Sequence, residues 1–487
     1  MHSALFRVDP GDDVAVALRD LAAGEVLDVR IAEPIPKGHK VALHAIAAGA
    51  EVRKYGFPIG RALTAIGAGA HVHTHNLATA LQARGDYAWQ PGEAEAPTPG
   101  EAEGFLGYRR ADGRVGTRNE IWVIPTVGCV GRTAEKIAAR AAARHAGRVD
   151  GIHAFAHPFG CSQLGDDLDG TRALLASLAS HPNAGGVLIL GLGCESNQLS
   201  RLLPGIAAGA NVRALGAQAA GDEIEEGLKL VDELVEVAAQ AKREPVPLSA
   251  LVLGVKCGGS DGFSGLTANP LVGRMSDRVT EAGGAAILTE IPEIFGAEQL
   301  LMARAADEAV FEGIGALVNG FKAYFTAHDE GVSDNPSPGN IAGGITTLEE
   351  KSLGAVQKGG HAPVTDVIAY GARVRRPGLT LLEAPGNDAV SSTALAAAGA
   401  TAILFTTGRG TPLGFPVPTI KIASNSELAQ RKPGWIDFDA GRVLEDGFGP
   451  SADALLDTIR AVASGRETAA ERNDEREIAI WKRGVTL

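Results

Sequence analysis

Four cysteines share one setting, and thiols repeated in that way can hold a soft metal. Ile121-Trp-Val-Ile-Pro-Thr-Val-Gly-Cys129, Ile152-His-Ala-Phe-Ala-His-Pro-Phe-Gly-Cys161 and Val187-Leu-Ile-Leu-Gly-Leu-Gly-Cys194 each run an apolar stretch into Gly-Cys. Leu251-Val-Leu-Gly-Val-Lys-Cys257 runs into Gly258-Gly259. The chain has 4 Cys in all, so every thiol follows a predicted strand. In a parallel sheet such positions gather along one edge, where ligands bind. Cys129, Cys161, Cys194 and Cys257 are therefore candidate ligands for a mononuclear iron or an iron–sulfur cluster. Small cysteines also pack well in glycine-rich turns, so any one of them alone carries little weight. No Cys-x-x-Cys pair occurs, which argues against a zinc ribbon.

A second set is His71-Val72-His73-Thr74-His75-Asn76. With strand periodicity the three imidazoles share one face, suited to a metal or to proton transfer near neutral pH. His73 and His75 are the candidates for proton transfer and His71 for a metal ligand. The segment repeats Ala48-Gly-Ala-Glu-Val-Arg-Lys-Tyr-Gly56, which carries Glu51, Arg53 and Tyr55 at the same offsets. The histidines are thus not required for that strand to form.

Polar loops follow the later strands. They are Ser260-Asp261, the run Asn335-Pro-Ser-Pro-Gly-Asn340 with Thr346 behind it, Thr406-Thr-Gly-Arg409-Gly, and Lys421 leading to Ser424-Asn425. Ser260, Asp261, Asn340, Thr346, Arg409 and Asn425 are candidate substrate contacts, and Lys421 is a candidate catalytic lysine. Turn chemistry alone also favours Gly, Asn and Pro at such places. No P-loop occurs, and Gly191-Leu-Gly193 lacks the rest of a dinucleotide fingerprint.

These residues need elements to position them. The chain of 487 residues is long for one core, and 63 Gly with 5% aromatics suggest many tight turns. A net charge of -13 argues against nucleic acid and anionic membrane, and no apolar stretch is long enough to span a bilayer. An anionic substrate would then need positive charge concentrated locally. Sparse cysteines and the charged, short-run start Met1–Asp13 give the expectation of a cytoplasmic protein. Residues 1–90 read as a compact β clip or barrel, with a short helix expected within Val14–Leu27. Residues 91–104 read as a Pro-Gly-Glu-Ala linker. Residues 105–245 and 246–487 alternate apolar runs with helical stretches, the pattern of two doubly wound, Rossmann-like parallel-sheet units sharing a cleft. The sequence leaves self-association open.

Gly107-Tyr-Arg-Arg-Ala-Asp-Gly-Arg-Val-Gly-Thr-Arg-Asn119, Gly191-Leu-Gly-Cys-Glu195, Cys257-Gly-Gly-Ser-Asp-Gly-Phe-Ser-Gly265, Asn335-Pro-Ser-Pro-Gly-Asn340 and Thr406-Thr-Gly-Arg-Gly410 resemble the altronate dehydratase and galactarate dehydratase family. His73-Thr-His-Asn76 resembles its small SAF-type β-clip domain. Ala384-Pro-Gly-Asn-Asp388 and Trp435-Ile-Asp-Phe-Asp-Ala-Gly441 are closer to the altronate branch. The resemblance implies a hydro-lyase that dehydrates a small anionic sugar acid, D-altronate, to 2-dehydro-3-deoxy-D-gluconate with iron(II) or manganese(II). Galactarate dehydration and sulfolactate sulfo-lyase activity are the alternatives on the same scaffold, followed by non-catalytic sugar-acid binding. One departure stands out: the family turn Asn-Lys-Ala-Gly-Gly reads Asn340-Ile-Ala-Gly-Gly344 here.

Overall fold

The structure is a computed structural model, and it describes residues 4–89 and 104–487. The expected linker at 91–104 lies, but for Gly104, outside the described residues.

The N-terminal unit is all β. Leu5–Phe6, Val14–Ala17, Lys40–Ala42 and His71–Val72 form one antiparallel sheet; Glu51–Lys54, Phe57–Ala62 and Leu77–Ala78 form another. The helix expected within Val14–Leu27 is absent: Val14–Ala17 is a strand with all four residues buried, and covered β-branched residues favour the sheet. The sequence repeat extends further than two copies. Leu21, Ile35, Ile46 and Ile66 each precede by three residues a glycine with positive φ (Gly24, Gly38, Gly49 and Gly69). They pair Leu21 to Ile35 and Ile46 to Ile66 as antiparallel bridges. Only glycine takes that conformation freely, so each copy turns at the same point.

Two parallel sheets follow. Gly151–Ala154, Glu120–Pro125, Ala184–Gly191 and Val212–Gly216 are neighbours in that order. Helices such as Glu223–Ala238 pack on this sheet through Leu228, Val231, Leu234 and Val235, a helical stripe started by Asp222 accepting from Ile224 N and Glu225 N. The larger sheet has seven strands, in the order Val364–Ile368, Gly378–Leu382, Ala285–Leu288, Val252–Cys257, Ala402–Thr407, Thr419–Ala423, Phe438–Asp439. All its pairings are parallel. Its first strand in the chain, Val252–Cys257, lies at the centre, and later strands add on both sides. The chain order therefore reverses beside Cys257, at the point where open α/β sheets bind ligands. Among the described residues no sheet closes into a barrel.

One buried charge group joins the N-terminal unit to the larger sheet. Glu350 accepts from Lys40 Nζ at 2.8 Å and from Lys54 Nζ at 2.7 Å, and all three side chains are almost fully covered. Lys40 also reaches Gly344 O at 2.7 Å and the Thr346 hydroxyl. Beside it, Glu349 accepts from Ala80 N at 2.7 Å and Thr79 Oγ1 at 3.0 Å. Burial disfavours the Glu350 carboxylate, but Lys40 and Lys54 outweigh it and hold its pKa at about 2. A carboxyl lowered on folding stabilises above its unfolded pKa and loses that contribution as pH falls through its folded value. Acid unfolding should therefore draw on Glu350 between about pH 4.5 and pH 2, and Glu350→Gln should flatten the stability profile there. At neutral pH the same substitution leaves two buried ammonium groups without a carboxylate and should cost about 3–5 kcal/mol in urea unfolding. A loss below about 1 kcal/mol would show that the group does not join the units.

Candidate functional site

At the reversal point, Cys257 ends its strand and Gly258 N donates to Thr406 O of the next strand at 2.9 Å. The neighbouring strand Ala285–Leu288 runs into Thr289-Glu290-Ile291-Pro292-Glu293. Glu290 has φ 65°, a left-handed conformation unusual for a side chain with a Cβ. That turn brings its carboxylate back to Cys257 N at 2.9 Å. Glu293 Oε2 lies 3.3 Å from the Cys257 thiol, which donates to it. Among the described residues, Cys257, Glu290 and Glu293 are the group of metal-ligating side chains whose donor atoms all lie within 4.8 Å of one another.

Three lysines surround this group. Lys256 Nζ lies 3.1 Å from Glu290 Oε1 and 2.7 Å from Asp388 Oδ1. Lys358 Nζ donates to Cys257 Sγ at 2.9 Å and lies 3.4 Å from Glu290 Oε2. Lys351 Nζ donates to Glu293 Oε1 at 2.8 Å, Asn335 Oδ1 at 2.9 Å and Asn340 Oδ1 at 3.2 Å. Burial opposes each ammonium, yet the facing acids outweigh it and hold all three lysines above the ordinary range. Burial, then Glu290, pushes the Cys257 thiol up to about 12, so at neutral pH it is a protonated donor. Burial also opposes the Glu290 carboxylate, but Lys256 and Lys358 hold it below its usual value.

Above the group opens a cavity of about 630 Å³, walled by Cys257, Glu293, Asn335, Asn340, Lys351 and Asp388 on its polar side and by Phe321, Tyr324 and Trp481 on its apolar side. The size suits a small polar ligand. Of the three lysines Lys351 lines the cavity, so it is the ammonium placed to meet an anion there.

The other expected residues divide. Ser260 and Asn340 line the cavity. Asp261 is half-buried and accepts from Ser264, Ser424 and Asn425 side chains, so it and Asn425 hold the loops together. Arg409 is exposed, with Nη1 3.3 Å from Gly339 O behind the cavity wall. Lys421 is buried in its strand with Nζ 2.5 Å from Pro412 O, and burial pulls its pKa down to about 8. Neither Arg409 nor Lys421 lines the cavity. Ile341, in place of the family lysine, is half-buried and outside the lining; Lys351 reaches the same turn from the following helix.

The histidines form a separate cluster. The strand ends at Val72 and residues 73–76 turn, because Asn76 Oδ1 accepts from His73 N at 2.9 Å and Asn76 Nδ2 donates to His71 O at 2.9 Å. A single strand face for all three is therefore corrected to a turn. His39, which the sequence did not single out, joins them, its Nδ1 3.0 Å from His71 Nε2. His71 stacks with His73 and His75 at centroid distances of 5.3 and 5.5 Å. His73 Nδ1 lies 3.4 Å from Thr346 Oγ1, so His73 and Thr346 meet at the interface between units, away from the cavity. Burial pulls His71 and His73 down to about 4, which leaves them neutral at pH 7.

The cysteines also divide. Cys257 is buried on the large sheet, whereas Cys129, Cys161 and Cys194 are exposed at the ends of the smaller one. Cys257 thus lies on a different sheet from the other three thiols, and His71 lies in the N-terminal unit. Glu290, Glu293, Lys351, Lys358 and Lys256 were not singled out from sequence. The one signal for them was an acid pair directly after a buried strand.

Residues 3–80 match the family described as altronate/galactarate dehydratase SAF domain, residues 107–239 the D-galactarate dehydratase/altronate hydrolase second domain, and residues 248–486 the D-galactarate/altronate dehydratase C-terminal domain. The chain is 51% identical to altronate dehydratase of Escherichia coli (strain K12), over 98% of each chain. It is 49% identical to altronate dehydratase of Bacillus subtilis (strain 168), over 99% of this chain and 100% of that one. It is 35% identical to galactarate dehydratase (L-threo-forming) of Escherichia coli (strain K12), over 95% and 93%. A SAF domain, a second domain and a C-terminal domain in this order, matched along nearly the whole length, make this chain a member of the altronate/galactarate dehydratase family.

Proposed function

We propose that the chain is a hydro-lyase that removes water from D-altronate to give 2-dehydro-3-deoxy-D-gluconate in the Cys257 cavity. The observation that carries this reading is the Lys351–Glu293 pair in the cavity wall, in a chain half identical to two altronate dehydratases along its length. The Lys351 ammonium, fixed by Asn335 and Asn340, meets the anionic end of the substrate. Ser260 and Asp388 offer hydrogen-bond partners to its hydroxyls. Glu293 Oε1 takes the proton from C2, and Lys351 donates a proton to the departing C3 hydroxyl, which leaves as water. The two groups are hydrogen-bonded, so the proton on Glu293 then passes to Lys351 and restores both; the 2,3-enol left behind gains a proton at C3 and loses the one on its 2-hydroxyl to become the 2-keto product.

Cys257, Glu290 and Glu293 fit a divalent ion by donor chemistry, a thiol with two carboxylates. Glu290 Oε1 supports that fit, since it is buried and accepts no directed hydrogen bond although Lys256 lies nearby. Iron(II) or manganese(II) held there would stabilise the negative charge that develops on the substrate. The Cys257 thiol must lose its proton for binding, and Lys358 is placed to hold the thiolate. His73, beside Thr346, meets the C-terminal unit, and neither it nor His75 takes a proton from the substrate here.

Lys351→Met should lower kcat for altronate by at least about 100-fold with the circular dichroism spectrum unchanged; activity within a few-fold of the unsubstituted enzyme would remove Lys351 from the chemistry. Turnover of altronate should exceed that of galactarate and sulfolactate measured side by side, and the reverse order would overturn the substrate assignment. Chelation should abolish turnover and iron(II) or manganese(II) restore it, with Cys257→Ser requiring more metal. Full activity after exhaustive chelation would contradict the metal assignment.

A further inference from the structure

Cys129, Cys161 and Cys194 lie outside the cavity and take no part in the chemistry above. Each follows one of three neighbouring strands, Glu120–Pro125, Gly151–Ala154 and Ala184–Gly191. Glu120–Pro125 comes first in the chain and lies between the other two, so the chain order reverses here also. This edge is the counterpart, in the smaller sheet, of the edge that holds the cavity in the larger one.

The three loops are bonded to one another beside each thiol. Gly128 N donates to Phe159 O at 2.9 Å, and Asn197 N donates to Gly160 O at 2.9 Å. Thr126 Oγ1 donates to Glu195 Oε1 at 2.6 Å. Gly128, Gly160 and Glu195 are the immediate neighbours of Cys129, Cys161 and Cys194. Buried His157 fastens the second loop to the first strand, its Nε2 lying 2.8 Å from Pro125 O and its Nδ1 accepting from Phe159 N at 3.2 Å. Glycine precedes Cys129 and Cys161 where their loops press together, and Cys194 where the Gln218 side chain lies close. A Cβ on Gly160 would sit 2.1 Å from Thr126 O, one on Gly128 2.9 Å from His157 O, and one on Gly193 2.5 Å from Gln218 Oε1.

Packing explains the glycines but not the cysteines. Free cysteine is among the most buried residue types, yet these three thiols are exposed on a rigid platform. Two buried polar atoms of the same loops, Gln163 Nε2 and Asn197 Oδ1, have no hydrogen-bond partner among the described residues. The three sulfurs do not form a group within 4.8 Å, as Cys257, Glu290 and Glu293 do. Thiolates on one ion at about 2.3 Å would stand roughly 4 Å apart, so a single ion does not span them as they stand. A cluster, whose irons are themselves separated, does reach wider.

The last residues of the chain run from the cavity wall to this edge. Trp481 stands in the cavity wall, and the tail that follows it ends with Leu487 N donating to Ser162 O at 2.9 Å, next to Cys161. Six residues of chain span at most about 20 Å.

We propose that Cys129, Cys161 and Cys194 ligate an iron–sulfur cluster at this edge, with three protein thiolates and one iron left without a cysteine ligand. The centre is distinct from the divalent-ion site at Cys257 and does not depend on the substrate assignment.

The test is made on the full chain purified without oxygen, by iron and acid-labile sulfide analysis and by visible absorption before and after dithionite. The expected result is sulfide in roughly equal amount to cluster iron, and a broad visible band that bleaches on reduction. Cys129→Ser, Cys161→Ser and Cys194→Ser should each lose the sulfide while keeping the melting temperature, and Cys257→Ser should keep it. Iodoacetamide labelling followed by mass spectrometry gives a second readout without substitution: the three thiols should resist the reagent until the cluster is stripped by oxidation and chelation. Iron without sulfide, sulfide that survives all three substitutions, or immediate labelling of the three thiols in the freshly isolated protein would overturn the proposal.

Discussion

A buried ammonium group is costly unless a carboxylate meets it, and this protein is organised around two places where one glutamate meets two lysines. Glu350 lies between Lys40 and Lys54, and Glu290 lies between Lys256 and Lys358. The first group fixes the SAF domain against the larger sheet. The second lies beneath the cavity. At the cavity Asp388 meets Lys256 as well and Glu293 meets Lys351, so three lysines face three carboxylates and Lys351 is the ammonium that reaches the cavity wall. The helix Leu348–Val356 links the two places, and three consecutive residues on it face three tasks. Glu349 holds Thr79 and Ala80, Glu350 holds the two SAF lysines, and Lys351 reaches Glu293. Seating of the small domain and alignment of the cavity lysine are therefore set by the same turn of helix.

Much of this architecture was legible in the sequence. Strands buried on both faces read as unbroken apolar runs, so Val187–Leu190 and Ala402–Phe405 fall inside observed strands and Leu251–Val255 does so from Val252 onward. The strand Val212–Gly216 was not legible, because it is half-exposed at the sheet edge and carries Arg213 amid weak alternation. Strand-end logic pointed to Cys257 and Ser260, which do wall the cavity. It pointed equally to Arg409 and Lys421, which do not, since periodicity fixes the strand but not the direction of a long side chain.

The residues proposed to carry the chemistry were hidden for a tertiary reason. Glu290 turns back toward Cys257 only because its backbone takes a left-handed conformation, and nothing in Thr-Glu-Ile-Pro-Glu announces that. Lys351 sits after two glutamates at a helix start and reads as an ordinary solvated residue until the fold buries it. The histidine row shows the reverse error: alternation suggested a strand, and the Asn76 side chain, by capturing the backbone at His71 and His73, made a turn instead. That turn gathers four imidazoles where two domains meet rather than where the cavity opens.

The central claim is that the substrate is bound and dehydrated at the Cys257 end of the large sheet, against Lys351 and Glu293. Diffraction at the iron absorption edge from anaerobic crystals soaked with altronate tests it most directly. The account predicts substrate density in this cavity with its carboxylate within hydrogen-bond reach of Lys351 Nζ, beside an anomalous peak at Cys257, Glu290 and Glu293. Substrate bound instead at the His39–His75 cluster, or a cavity that stays empty while turnover proceeds in the crystal, would contradict it.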